Sequence, residues 1–161
     1  MQVRELREGE VPTLVDDLWF PFAREMADLD SYNELADGDL RPDALAYRHD
    51  RFADDDVATF VAVVAGDLVG YATVERKPSP PVFARGPSGN VGEVYVAPDH
   101  RGAGVATALL DAAESWAREE GCERVTLSVN RENESARALY ESRGYDVRRL
   151  KMDAELDGHD G

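Results

Sequence analysis

The chain has 161 residues, 43% of them hydrophobic, and 33 acidic side chains outweigh 18 basic ones to give a net charge of −15. That length suits one domain with a real core, expected over residues 1–161, and the charge excludes the basic surface that a nucleic-acid backbone requires. A single cysteine, Cys122, excludes a disulfide framework or a cysteine zinc cluster, and His49, His100 and His159 lack metal-ligand spacing, so no metal is expected.

In chain order, residues 3–9 (VRELREG) alternate and end at a glycine, which predicts a short strand. Leu14, Val15, Leu18, Phe22, Met26 and Leu29 recur at helical spacing, with Pro12 at the start of a helix over 12–29. A weaker helix is expected over 42–53. The period then falls to two: strands over 57–64 and 68–76 flank the tight turn AGD. Residues 77–90, rich in Pro and Gly, read as a long loop, and VGEVYVAP as a strand stopped by Pro98.

A glycine-containing turn, HRGAG, then feeds a helix whose stripe is Ala106, Leu109, Leu110, Ala113, Trp116 and Ala117, closed by Gly121. ERVTLSVN reads as a buried strand. A short helix follows, with Asn133 as its cap and Gly144 as its stop. Residues 145–156 predict one or two final strands, and the last five residues a frayed end. This is a mixed α/β order with an antiparallel, hairpin-built section, unlike the steady alternation of a doubly wound sheet.

No apolar run approaches the roughly 20 residues that span a bilayer, and the N-terminus has no apolar signal core, so a cytoplasmic protein without membrane contact is expected. Of the basic residues only Lys77 and Lys151 are lysine. Such an acidic, lysine-poor surface is similar to that of halophilic proteins, in which salt screens self-repulsion.

The turn before the long helix has the physics of an anion site. The first amides of a helix lack intrahelical partners, the macrodipole adds positive charge there, and bare glycines let a pyrophosphate approach. GAGVAT imitates a dinucleotide fingerprint, but it lies two-thirds along the chain and not in a first βαβ unit. R-x-x-G-x-[GA] fits better, met by Arg101, Gly104 and Ala106 after the strand EVYVAP. Downstream, N-x-x-A-x-x-L-Y-x-x-x-G-[YF] is met by Asn133, Ala136, Leu139, Tyr140, Gly144 and Tyr145. On these two motifs the chain resembles the GNAT family, the GCN5-related N-acetyltransferases, over nearly its whole length.

The resemblance implies a mixed, mostly antiparallel sheet with flanking helices, the GNAT (acyl-CoA N-acyltransferase) fold. It implies acetyl-CoA as co-substrate, its pantetheine arm paired with the splayed strand at Val94, Tyr95 and Val96. The pyrophosphate would rest on amides of Gly102, Ala103, Gly104, Val105, Ala106 and Thr107, with Arg101 anchoring the turn and Asn133 contacting the cofactor. Tyr140 matches the family's general acid near the sulfur, and the Val96 amide an oxyanion donor. Glu93, on the same strand, is the expected general base, directly or through water. Ser128 stands where some ribosomal-protein N-terminal acetyltransferases of the family carry a glutamate, a departure from that branch. Trp19, Phe20, Phe22, Tyr32 and Tyr47 are expected mostly in the core, with one or two at the acceptor; Cys122 and His100 are expected to pack, and Arg137 and Arg143 to be solvated.

The implied reaction is direct acetyl transfer from acetyl-CoA to a primary amine, the acceptor a small amine or amino-acid-like metabolite. A peptide N-terminus or lysine side chain is the alternative acceptor, a non-catalytic acyl-CoA-binding module the alternative role, and nicotinamide-dinucleotide binding a third. A homodimer is left open.

Overall fold

The computed structural model describes residues 1–156; the expected frayed end, 157–161, lies outside the described residues. These residues fall into two units, 1–128 and 129 onward.

The first unit is built on five strands, β1 (Gln2–Glu5), β2 (Val57–Val64), β3 (Asp67–Lys77), β4 (Ser88–Val96) and β5 (Arg124–Leu127), ordered β1-β2-β3-β4-β5. The first three junctions are antiparallel and β4 pairs β5 in parallel. Alternation in β2 to β4 sends successive side chains to opposite faces. Val61, Tyr71 and Tyr95 meet Leu6, Val11, Leu14 and Leu18 on one face. Ala62, Val69, Ala72 and Val96 meet Val105 and Leu109 on the other.

The first face is covered by α1 (Val11–Leu14), a π-helical turn over Val15–Trp19, α2 (Phe20–Leu29) and α3 (Arg41–Ala53). The sequence predicts one regular helix over 12–29; the structure widens it to i→i−5 bonding, with Phe20 N–H donating to the Val15 carbonyl. Pro21 supplies the reason, since it has no N–H to give the Asp17 carbonyl one turn back.

The opposite face carries α4 (Val105–Glu119). It lies very close to the sheet at two glycines: a Cβ on Gly70 would sit 3.2 Å from Leu109 Cδ1, and one on Gly89 would sit 2.7 Å from Ala117 Cβ.

β5 differs from its expectation. It spans four residues rather than eight, and it is half-buried rather than buried because it is last in the sheet order. β3 and β4 extend into the expected loop, shortening it to 78–87. No strand occurs over 145–156 among the described residues, although the sequence alternates there; Val147, Leu150, Met152 and Leu156 are exposed.

The second unit contains α5 (Glu134–Ser142). Asn133 Oδ1 accepts from the Ala136 amide at 3.2 Å, the expected cap, and Gly144 stops the helix at φ +90°. Tyr140 and Tyr145 stack edge-to-face with centroids 5.9 Å apart.

Candidate active site

The site begins with one extra residue in β4. Thr73 faces Glu93 and Val74 faces Val91, so Gly92 is a bulge. Thr73 Oγ1 caps the distortion by accepting the Glu93 amide at 3.0 Å, and a Cβ on Gly92 would meet that same oxygen at 3.0 Å.

At this bulge the strands part. β5 pairs with Ser88 to Val91 only. Beyond it, the Ala97 amide donates to the Val69 carbonyl at 2.8 Å, which sets the phase of the β3–β4 ladder. By alternation the main-chain groups of Tyr95 turn toward β3, and those of Val94 and Val96 turn away, to the side where pairing with β5 has ended. Arg101 occupies part of that side, its Nε donating to the Val96 carbonyl at 2.8 Å. The same guanidinium pairs with Glu25 of α2 at 2.6 Å and lies over the Tyr95 ring. Arg101 thus ties the turn to the end of β4 and to α2.

The glycine turn comes next. Gly102 and Gly104 have φ of +78° and +81°, which L side chains rarely adopt, and a Cβ on either would meet nothing within 4 Å. The glycines are therefore required by torsion, and the space above them is open. The helical ladder of α4 starts at Ala108 N–H to the Gly104 carbonyl, 3.1 Å, so the amides of residues 104–107 precede it. Gly104 caps α4 without a side chain.

Glu93 is not alone in its cleft. Its Oε1 accepts from Arg48 Nη2 at 2.9 Å, and its Oε2 accepts from the Tyr71 hydroxyl at 3.1 Å. Burial, and next to it the charge of Glu93, push the Tyr71 hydroxyl well above its ordinary range, so it stays a proton donor. Arg48 is 2% exposed, with its guanidinium over the rings of Tyr47 and Tyr71. Tyr47, Arg48 and Glu93 line a polar cavity of about 190 Å³, which also touches Arg51, Glu75 and Asn90; Arg51 and Glu75 form their own ion pair at 2.8 Å. The cleft can hold a small polar group against a carboxylate whose position is fixed from two directions.

The sequence offers Glu93 but not Arg48 or Tyr71. A signal for Arg48 exists: it sits on one helical stripe with Leu45 and Phe52, where a cation needs a buried partner. Trp19 and Phe22 pack on the core as expected, whereas Tyr32 is 81% exposed, because it lies in the short turn over Ser31–Asn33 with no apolar neighbour face. Tyr47 is exposed at the cavity. Burial raises the Cys122 thiol. Arg137 is spent on Glu141. Asn133 and Tyr140 belong to the second unit; burial raises the Tyr140 hydroxyl above its ordinary value. Among the described residues no cluster of three metal-binding side chains occurs, and no helix is long and apolar enough to cross a membrane.

A family model described as the Acetyltransferase (GNAT) family matches residues 15–145. The chain belongs to the GNAT family. A mycothiol acetyltransferase of Salinispora arenicola is 34% identical over 83% of this chain and 42% of its own length. An aminoglycoside N(6')-acetyltransferase type 1 of Stenotrophomonas maltophilia is 32% identical over 58% of this chain and 63% of its own. The chain spans less than two thirds of the length of the curated relatives it matches. Among solved structures, an acetyltransferase from Clostridium acetobutylicum, described as predicted and solved with acetyl-CoA, has a TM-score of 0.75 at 19% identity, covering 94% of this chain and 95% of that one. That likeness bears on the GNAT fold of the chain, the mixed, mostly antiparallel sheet with flanking helices anticipated from the motifs.

Proposed function

We propose that residues 1–161 work as one acetyl-CoA-dependent N-acetyltransferase domain, with a small primary amine as acceptor. The observation that carries this reading is the adjacency of three features: main-chain groups of β4 released at the Gly92 bulge, a turn of open amides at the mouth of α4, and a fixed carboxylate at the same bulge. A thioester cofactor with a diphosphate fits them without any lysine, because amides supply the positive ends. Val94 would take the pantetheine arm by strand-like pairing, and the amides of residues 102–107 the diphosphate, which leaves the Val96 amide free.

In this reading the bound cofactor supplies an activated acetyl group. Glu93 takes a proton from the acceptor amine, directly or through one water, as the nitrogen bonds to the acetyl carbon. The Val96 amide holds the developing oxyanion. The carbon–sulfur bond then breaks, and we assign to Tyr140 the proton that the departing thiolate takes up. Its hydroxyl, held protonated by burial, suits an acid. Arg48 and Tyr71 are positioning residues that hold Glu93 at the bulge.

CoA release measured over a panel of amines, at low and high salt because of the −15 charge, tests the reading. Glu93→Gln and Tyr140→Phe are each expected to slow kcat by about 100-fold or more while acetyl-CoA still binds. Unchanged rates in both variants would remove the assigned roles, and the absence of any acetyl-CoA-dependent release would remove the activity.

A further inference from the structure

A second cavity lies beside the polar one. Its volume is about 330 Å³, and Trp19, Leu35, Ala36, Leu40 and Ala44 supply its apolar wall. Tyr47 and Arg48 line both cavities and form their common boundary. The acceptor reading above uses only the first.

We infer that the acceptor amine bears an apolar arm, aromatic or branched aliphatic, seated against Trp19, Leu40 and Ala44 while its nitrogen lies at Glu93. This rests on the acetyl-transfer reading. Several observations bear on the arm. The second cavity falls in the size range of small-ligand sites, which are typically 300–1,000 Å³ and mostly apolar. Its acidic side chains, Glu34 and Asp43, are exposed and would repel an anionic arm, so the arm is neutral or cationic. Tyr47, 57% exposed, offers a ring at the boundary for the arm to pass along.

The boundary is fixed from the polar side. Arg48 is buried, and its Nη2 serves Glu93. The acceptor class is therefore a primary amine with a neutral or cationic apolar arm. A polyhydroxylated amino sugar fits the polar cavity but leaves the apolar wall unfilled.

The test compares kcat/KM of the full chain, with saturating acetyl-CoA, for phenylalaninol, ethanolamine and glucosamine. A filled apolar group is worth about 10–200-fold, so phenylalaninol is expected to exceed both others by at least about tenfold. Ala44→Trp, which fills the cavity, is expected to bring that ratio to within about twofold, with calorimetric acetyl-CoA affinity retained as the control for folding. Leu40→Trp is the second filling variant. Equal or better use of glucosamine, or a preference that survives both fillings, overturns the inference and leaves acetyl transfer standing. Binding of acetyl-CoA with no release on any of the three amines overturns the inference, and the wider amine panel then decides the activity. Neither binding heat nor release with acetyl-CoA overturns both readings.

Discussion

Arg48→Met is the perturbation that bears most on how the cleft is held. Arg48 is 2% exposed and its pair with Glu93 spans 2.9 Å, with the Glu93 side chain 20% exposed. Cutting one partner from a buried pair costs about 3–5 kcal/mol, because the remaining charge is stranded. Glu93 keeps some solvent and the Tyr71 hydroxyl, so the lower end, about 3 kcal/mol, is expected. In a chain of this size that corresponds to a fall in Tm of about 6–12 °C. Adding Glu93→Gln removes the stranded charge, and Tyr71 can still donate to the amide oxygen. The double variant should therefore recover about 2 kcal/mol relative to Arg48→Met. Urea denaturation followed by circular dichroism on the wild type, both single variants and the double closes the cycle. A loss under 1 kcal/mol in Arg48→Met, or a double variant equal to the sum of the singles, would refute the idea that the pair is buried and coupled.

Other outcomes follow from backbone and packing. Gly104→Ala should cost about 1–2 kcal/mol by forcing a Cβ into left-handed backbone, with weaker acetyl-CoA binding by calorimetry; stability equal to wild type would mean that the turn is not held at φ +81°. Gly89→Ala should cost about 1–3 kcal/mol through its 2.7 Å approach to Ala117 Cβ, and Gly89→Ala/Ala117→Gly should cost less than the two singles summed. Strict additivity would contradict that contact. Glu10 is pulled down to about 2 by the hydrogen-bonded Arg4 guanidinium, at 2.7 and 2.8 Å. Its folded value lies below its unfolded one, so its contribution is full above about pH 4.5 and fades as pH falls toward 2. Glu10→Gln should flatten acid unfolding in that window, and an unaltered acid limb would count against it.

Much of the frame can be read from residue pattern. Val57–Val64 is legible as a strand from its short apolar run, buried on both faces, and the stripe of Leu109, Leu110, Ala113 and Ala117 is buried as spaced. Gly102 and Gly104 stand out because bare residues at a helix mouth point to a left-handed backbone or to a ligand against the main chain, and their φ of +78° and +81° shows the first. What is hidden depends on partners distant in the chain. The Gly92 bulge is invisible in VGEVYV, since its cause is the register against Thr73. Arg48 finds Glu93 across 45 residues. Alternation over 145–156 suggests a strand, yet a strand exists only where a ladder partner is available, and none is assigned there. The π-helical turn follows from Pro21, a cue present in the sequence but outweighed by the apolar spacing around it.

Backbone amide resonances followed during titration with CoA test the central claim most directly. Saturable shifts concentrated at Val94, Val96 and residues 102–107, with far smaller changes along β1 and β2, are the predicted result. Binding that leaves those amides unmoved, or moves chiefly others, would contradict it.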